Sequence, residues 1–280
     1  MNNKLFIILI IVFQFLLINK ILSKEIQFNA NEIEVLDEGN ETIAKNGTVL
    51  IQKDKISATG RIIRYIKNKS LLIVNDGKIK KIDNNLEINS KVIQYNINQS
   101  NLYLKNNVQI KDNANNLEIN TDEINYNLNK RQIESSSNSE IKDNLGNIYR
   151  VSQFGYNLED RIIKLSDLEV LDVDKNKFKI DLAFLDLEKK ELIAKDISLN
   201  FKISDNSENE PRLKGRSLIS NDENTIVKKG TFTFCKKREK CPPWEMSAEE
   251  IKHDKKKKTI YYKNASLRIY DSKKRNFYIL

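Results

Sequence analysis

The feature that most constrains this chain is a set of residues that recurs about every thirty positions. Gly47, Gly77, Asn107, Asn138 and Leu168 fall in one column at separations of 30, 30, 31 and 30. Twelve residues before the last four stand Tyr65, Tyr95, Tyr126 and Tyr156. Each tyrosine opens a short polar turn, as in "YIKNKS", "YNINQS", "YNLNKR" and "YNLEDR". Leu185 of "LDLEKK" holds that slot in a fifth unit, and Val35 of "VLDEGN" fits a degenerate first copy. Within each unit apolar residues alternate with polar ones at period two: Leu86 and Ile88, Leu102 and Leu104, Val108 and Ile110, then Phe178, Ile180, Leu182 and Phe184. Short alternating runs broken by Asn, Asp, Gly and Lys read as strands with one dry and one wet face. The three prolines all follow residue 210, so the earlier strands keep every ladder donor.

Two or three strands per unit make roughly fifteen in all, each too narrow to be stable alone, so the units must stack. A β-solenoid and a jelly roll of antiparallel strands both satisfy this, and a thirty-residue unit with turns near its middle favours the second. The expected fold is therefore all-β, an elongated antiparallel β-jellyroll. Its inward row would include Ile51, Ile88, Leu104, Ile110, Ile119, Phe154, Ile180 and Phe184. If the sheet faces close, that row is an ordinary core; if they splay, it is an apolar trough able to take acyl chains. Alternation alone fits both.

The start of the chain bears on compartment. Lys4 precedes the apolar run Leu5 to Ile18, then Asn19 and Lys20, with a small-residue cut expected after Ser23. This pattern describes a secretory signal peptide, with an uncleaved anchor as the alternative. Residues 1–23 would then be the leader and 24–270 the β-domain, comprising repeat units at 24–200 and a distinct segment at 228–270. Export permits a disulfide between the two cysteines of the chain. The formal charge of +9 is concentrated late: from Lys228 to Arg275 there are sixteen Lys or Arg against six Asp or Glu. A basic exported end points to an anionic lipid partner rather than to nucleic acid.

The late segment "FTFCKKREKCPPWEMSAEEIKHDKKKKTIYYKNASLRIYD" carries a resemblance. With the repeats, it is similar to the N-terminal periplasmic region of the lipopolysaccharide-assembly family LptD, alphaproteobacterial type, whose OstA-like unit is shared with LptA and LptC. The matching positions are Cys235, Cys241, Pro242, Trp244, Ala248, His253, Asp254, Tyr262 and Ala265. The resemblance implies a non-catalytic module that receives lipopolysaccharide from an LptA-like bridge protein and passes it to an outer-membrane barrel and its LptE-like lipoprotein. Where that family continues into a barrel, this chain reads "SKKRNFYIL" at 272–280, so 271–280 does not match. A soluble bridge module like LptA or LptC, and a non-lipid structural β-repeat of the envelope, are the competing readings.

The residues of that segment admit plainer readings. Cys235 and Cys241 lack the short spacing of zinc ribbons and redox dithiols, and with His253 they would still want a fourth ligand. A local disulfide is expected, adding about 2 kcal/mol through the unfolded chain. No metal and no cofactor are expected. His253 occupies the slot of the repeat tyrosines, as a packing or turn-capping residue. Trp244, after two prolines, would enter an edge strand and cap the apolar row, or line a lipid path. Lys255 to Lys258 would sit at a hairpin tip, either solvated or contacting phosphate. With one histidine and no HExxH, GxSxG or glycine-rich loop, the chain has no visible equipment for hydrolysis.

Overall fold

A computed structural model of the chain describes residues 26–81, 86–144, 146–171, 177–200, 211–235 and 244–269. The expected leader, 1–23, lies outside them, as do Cys241, Pro242 and the end of the chain from 270. Eighteen strands form one antiparallel sheet, with two single-turn 3₁₀ segments as the only helical elements among the described residues. The run begins with β1 (Ile26–Leu36), β2 (Glu41–Ile51), β3 (Ile56–Ile66), β4 (Leu71–Lys81), β5 (Leu86–Asn96), β6 (Asn101–Asp112) and β7 (Leu117–Asn127). β8 (Gln132–Ser135) and β9 (Ser139–Lys142) are two pieces of one long strand, both paired to β7. β10 (Ile148–Val151) and β11 (Gln153–Asn157) likewise share β12 (Ile162–Leu171). The meander then continues through β13 (Lys177–Asp186), β14 (Glu191–Asn200), β15 (Arg212–Ser220), β16 (Asn224–Thr233), β17 (Trp244–Asp254) and β18 (Thr259–Ile269).

A flat meander would leave half of these apolar rows wet; a crease across the middle of every strand prevents it. In β4 the buried positions are Leu72 and Val74, then Gly77 and Ile79, so the inward parity changes at Asp76, whose φ is 49°. The same change occurs beside Asn46, Asp167, Asp196 and Lys229, all with positive φ. In β6 an extra residue produces a register shift between Lys105 and Val108. An irregularity of this kind bends a strand and re-aims its side chains, which keeps one face inward on both sides of the bend. Gly47, Gly77, Asn107 and Leu168, the thirty-residue column, mark this crease. Glycine is required there by space: a Cβ on Gly77 would lie 2.6 Å from Val74 Cγ1 and 2.9 Å from Ile93 Cδ1.

Backbone groups released at the crease are met by hydroxyls. Ser90 Oγ donates to the Lys105 carbonyl at 2.7 Å, and the buried trio Thr121, Ser135 and Ser139 bond one another at 2.9 Å across the β8–β9 break. The serine-rich stretch at 135–139 thereby satisfies groups that would otherwise be buried without partners.

The crease brings the two lips of the sheet together. Asp54 lies in the β2–β3 turn and Tyr95 near the opposite end of β5, so a flat sheet of this spacing would hold them roughly 30 Å apart. Tyr95 Oη nevertheless donates to Asp54 Oδ2, Ser100 Oγ donates to Asp54 Oδ1 at 3.1 Å, and Lys53 Nζ donates to the Ile97 carbonyl at 3.2 Å. The halves of each strand therefore pack face to face, giving the jelly-roll cross-section the repeats imply. Between them lies one continuous core from Ala44 to Ile251.

One expectation is corrected here. Phe184 does not join the inward row: in β13 the buried residues are Ile180 and Ala183, with Leu185 partly buried, while Phe184 is 40% exposed on the outer face. Strict period two carried Phe178 and Ile180 through to Leu182 and Phe184, but the crease at Asp181 flips the parity between them.

Candidate functional site: the interior and its tyrosine seam

Seven of the eight expected inward residues, Ile51, Ile88, Leu104, Ile110, Ile119, Phe154 and Ile180, are buried in the shared core. Cross-strand pairs join them directly, Ile88 to Ile110 and Ile110 to Ile119. From β2 to β12 this interior is closed. Two open furrows of about 850 Å³ and 650 Å³ run along the crease, lined mostly by polar residues, among them Arg61, Asp76, Lys78 and Gln109 in the first and Asp122, Arg150 and Asp167 in the second.

The closure has a specific chemistry that the tyrosine column supplies. Besides Tyr95 on Asp54, Tyr156 Oη donates to the buried Asp112 at 2.5 Å, and Asn115 Nδ2 donates to Tyr156 Oη at 2.9 Å. Asp112 also accepts from the backbone N–H of Ala114 and Asn115 at 3.0 and 3.1 Å. Each clasp joins opposite lips across 41 or 44 residues of chain. Burial, then the neighbouring carboxylate, pushes both phenols far above their ordinary range, so they remain donors at all physiological pH. The carboxylate partners carry no periodic apolar signal. They were legible only as the Asp and Asn of "QKDK" and "KDNANN", about forty residues before a tyrosine.

Turns along the tyrosine lip are tied to one another by backbone bonds: Ile97 N–H to Ser70 O and Leu128 N–H to Ser100 O at 2.9 Å, Leu158 N–H to Arg131 O at 2.9 Å and Leu187 N–H to Arg161 O at 3.0 Å. These explain why a polar turn follows every repeat tyrosine at constant length. They stack the units into a rigid edge.

Beyond β12 the same slot is held by Leu185, Ser220 and His253 rather than tyrosine, as register shows from Leu185–Leu192, Leu192–Ser220, Ser220–Thr225 and Thr225–His253. There the inward row is less covered. Phe178, Leu185, Leu192 and Phe232 are only partly buried, and Ile260 and Tyr262 of β18 are exposed.

The late segment is a continuation of this sheet. Trp244 opens β17, which pairs with both β16 and β18, so it enters an interior strand and not an edge. Its ring tilts against Phe232 at 6.3 Å, and its carbonyl accepts from Thr233 Oγ1 at 2.8 Å. Ala248 is buried opposite Gly230 and Ala265, and Tyr262 faces Ile251. The exposed His253 caps nothing: Asp254 Oδ1 accepts the Lys257 N–H and holds the turn. Three of the four turn lysines have protein partners, Lys255 on the Asn221 carbonyl, Lys256 on Glu223 and Lys257 near Asp254. Cys235 is half-buried and its carbonyl accepts from Arg212. The expected partner thiol, Cys241, lies outside the described residues, as does Pro242.

β1 pairs only with β2, and β18 only with β17, among the described residues. Both terminal strands leave part of the inward row uncovered, with Ile33 and Val35 exposed at one end and Ile260 and Tyr262 at the other. The interior is thus continuous and apolar, sealed in its middle and uncovered towards both ends.

Comparison with known proteins bears on this geometry. Residues 63–168 match the family described as lipopolysaccharide-assembly, LptC-related. Among curated proteins none matches by sequence. Among solved structures there is a likeness to LptH, described as the LptA-homologous periplasmic component of the lipopolysaccharide transport device of Pseudomonas aeruginosa, at 11% identity over 50% of this chain and 81% of that one. Its TM-score is 0.22. The stretch 63–168, from within β3 to within β12, which contains Tyr95 and the whole Tyr156–Asp112 clasp, is similar to an LptC-related lipopolysaccharide-assembly domain.

Proposed function

We propose that this chain is a non-catalytic lipopolysaccharide-transport module, a periplasmic β-jellyroll that shields acyl chains between its creased faces while the phosphorylated sugar head stays in solvent. The observation that carries the reading is an uninterrupted apolar interior spanning every strand and uncovered at both terminal strands, in a chain whose centre resembles a lipopolysaccharide-assembly domain. Apolar surface withdrawn from water contributes about 25 cal/mol per Å², so an acyl chain lying along Leu185, Leu192 and Phe232 would be held without any reaction. The β1 edge, Gln27 to Val35, offers unpaired ladder groups to an LptA-like bridge protein by strand addition. The Cys235, Pro242 and Trp244 segment favours an LptD-type receiving role next to an outer-membrane barrel and LptE-like lipoprotein. The LptC-related match favours a bridge module, with the same lipid cargo.

Photocrosslinkers placed at Ile88, Ile119, Ile180 and Leu185 in the periplasm test the reading. Labelling by lipopolysaccharide at Ile180 and Leu185 is expected. Absence of lipid adducts at all four positions would remove the conduit reading and leave a structural β-repeat.

A further inference from the structure

The outer face of the sheet is polar along most of its length, and one row shows where it is not. Register carries a single outward row across neighbouring strands: Gln94, Tyr103, Asn125, Glu134, Gly155 and Lys164. The next four strands then place Phe184, Ile193, Ile219 and Ile226 side by side, before Lys252 and Tyr261 close the row. Phe184, Ile193 and Ile219 are 40%, 44% and 37% exposed, and Tyr261 is 47% exposed. Four adjacent strands contributing an aliphatic or aromatic residue at one outward level is not the scatter of single exposed apolar residues that any surface carries. It lies on the face opposite to the interior, so acyl chains held between the halves do not explain it.

Charge identifies what fits it. Lys164 and Lys252 bracket the four apolar residues in the same row, Lys195 and Lys228 stand two residues nearer the crease on the central strands, and the 255–258 lysine turn sits at the adjoining lip. Lys228 is shared with Glu250 at 3.9 Å and Lys195 with Asp196 at 4.0 Å, whereas no described carboxylate lies within ion-pair distance of Lys164 or of Lys252, the latter reached by Glu223 and Asp254 only at longer range. We infer that this outer strip of β13–β16 is a docking face for an anionic bilayer surface, inserting Phe184, Ile193 and Ile219 at the headgroup boundary while the flanking lysines meet lipid phosphates. An apolar strip between cationic margins is the arrangement by which peripheral proteins lie on acidic membranes. The inference is independent of what the interior carries.

The test is amide hydrogen exchange of the full chain with vesicles of phosphatidylcholine containing 30% phosphatidylglycerol, and with pure phosphatidylcholine. Local exchange is the readout, because the apolar run Leu5 to Ile18 contributes equally to every variant. Protection is expected over 182–195 and 217–228 with the anionic vesicles alone, weakening with salt. In Ile193→Ser/Ile219→Ser that protection should fall roughly tenfold in the lipid concentration needed, and in Lys164→Glu/Lys252→Glu the difference between the two vesicle types should disappear. Equal protection by neutral vesicles, protection confined to β1 or β18, or burial of the strip in a dimer of the lipid-free chain would each overturn it. Should the serine variant be less folded, the wild-type protection map decides alone.

Discussion

Residues 41–171 and residues 177–269 are built from the same unit, two creased strands and a polar turn, yet they hold their interiors differently. Both halves need glycine or a positive-φ residue at the crease: a Cβ on Gly77 would meet Val74, and one on Gly230 would lie 2.6 Å from Ile251 Cδ1. They differ at the lip. The first half sets Tyr95, Tyr126 and Tyr156 against the facing lip, with buried Asp112 as one acceptor; the second sets Leu185, Ser220 and His253 in the same slot. The lesson is that the crease makes the jelly roll, and the column of phenols decides how tightly it shuts.

That contrast can be broken first at the core. Leu104→Ala, fully buried, should cost about 3 kcal/mol in urea unfolding, and Leu192→Ala, partly exposed, about 1 kcal/mol. Equal losses would mean the second half is as well packed as the first. Gly77→Ala should destabilise by about 2 kcal/mol through its clash with Val74 and Ile93, whereas Gly155→Ala, with nothing within 4 Å, should be neutral or slightly stabilising. If Cys235 and Cys241 are bridged, as we propose, Cys235→Ser should lower stability by up to about 2 kcal/mol under oxidising conditions and not under reducing ones. A wild type whose melting is identical in both conditions would dispose of the bridge.

The clasps give the smallest effect but the most specific signature. Tyr156→Phe should cost about 1 kcal/mol, because Asn115 continues to serve Asp112. The folded phenols have raised pKa values, so the folded chain retains protons that the unfolded chain releases above its ordinary tyrosine pKa near 10. Their contribution is therefore complete below about pH 10 and erodes as pH rises beyond it. Exchange protection in β5–β12 should fall above about pH 10 in the wild type, and less steeply in Tyr95→Phe/Tyr156→Phe. Equal alkaline sensitivity in both proteins would deny the phenols their sealing role.

Much of this was legible in the residues. The thirty-residue column, the tyrosine slot and the turns after it all correspond to physical features, namely crease, seam and stacked lip. Alternation found seven of eight inward residues. It failed at Phe184 because period two assumes an unbroken pleat, and the crease at Asp181 inverts the pleat between Ile180 and Ala183. The two prolines before Trp244 suggest an edge strand, whereas β17, which it opens, is flanked by β16 and by β18 returning alongside it.

Composition and periodicity by themselves determined that the chain is β, repetitive, one-sided and basic at its end, since these follow from side-chain spacing along a single strand. Which aspartate faces which tyrosine, which half closes, and where an apolar row emerges on the outer face were decided only when the sheet folded over its own middle. The clasps join residues about forty positions apart on opposite lips and the outer row is set by register after the parity flip, and no local pattern encodes the angle of a crease.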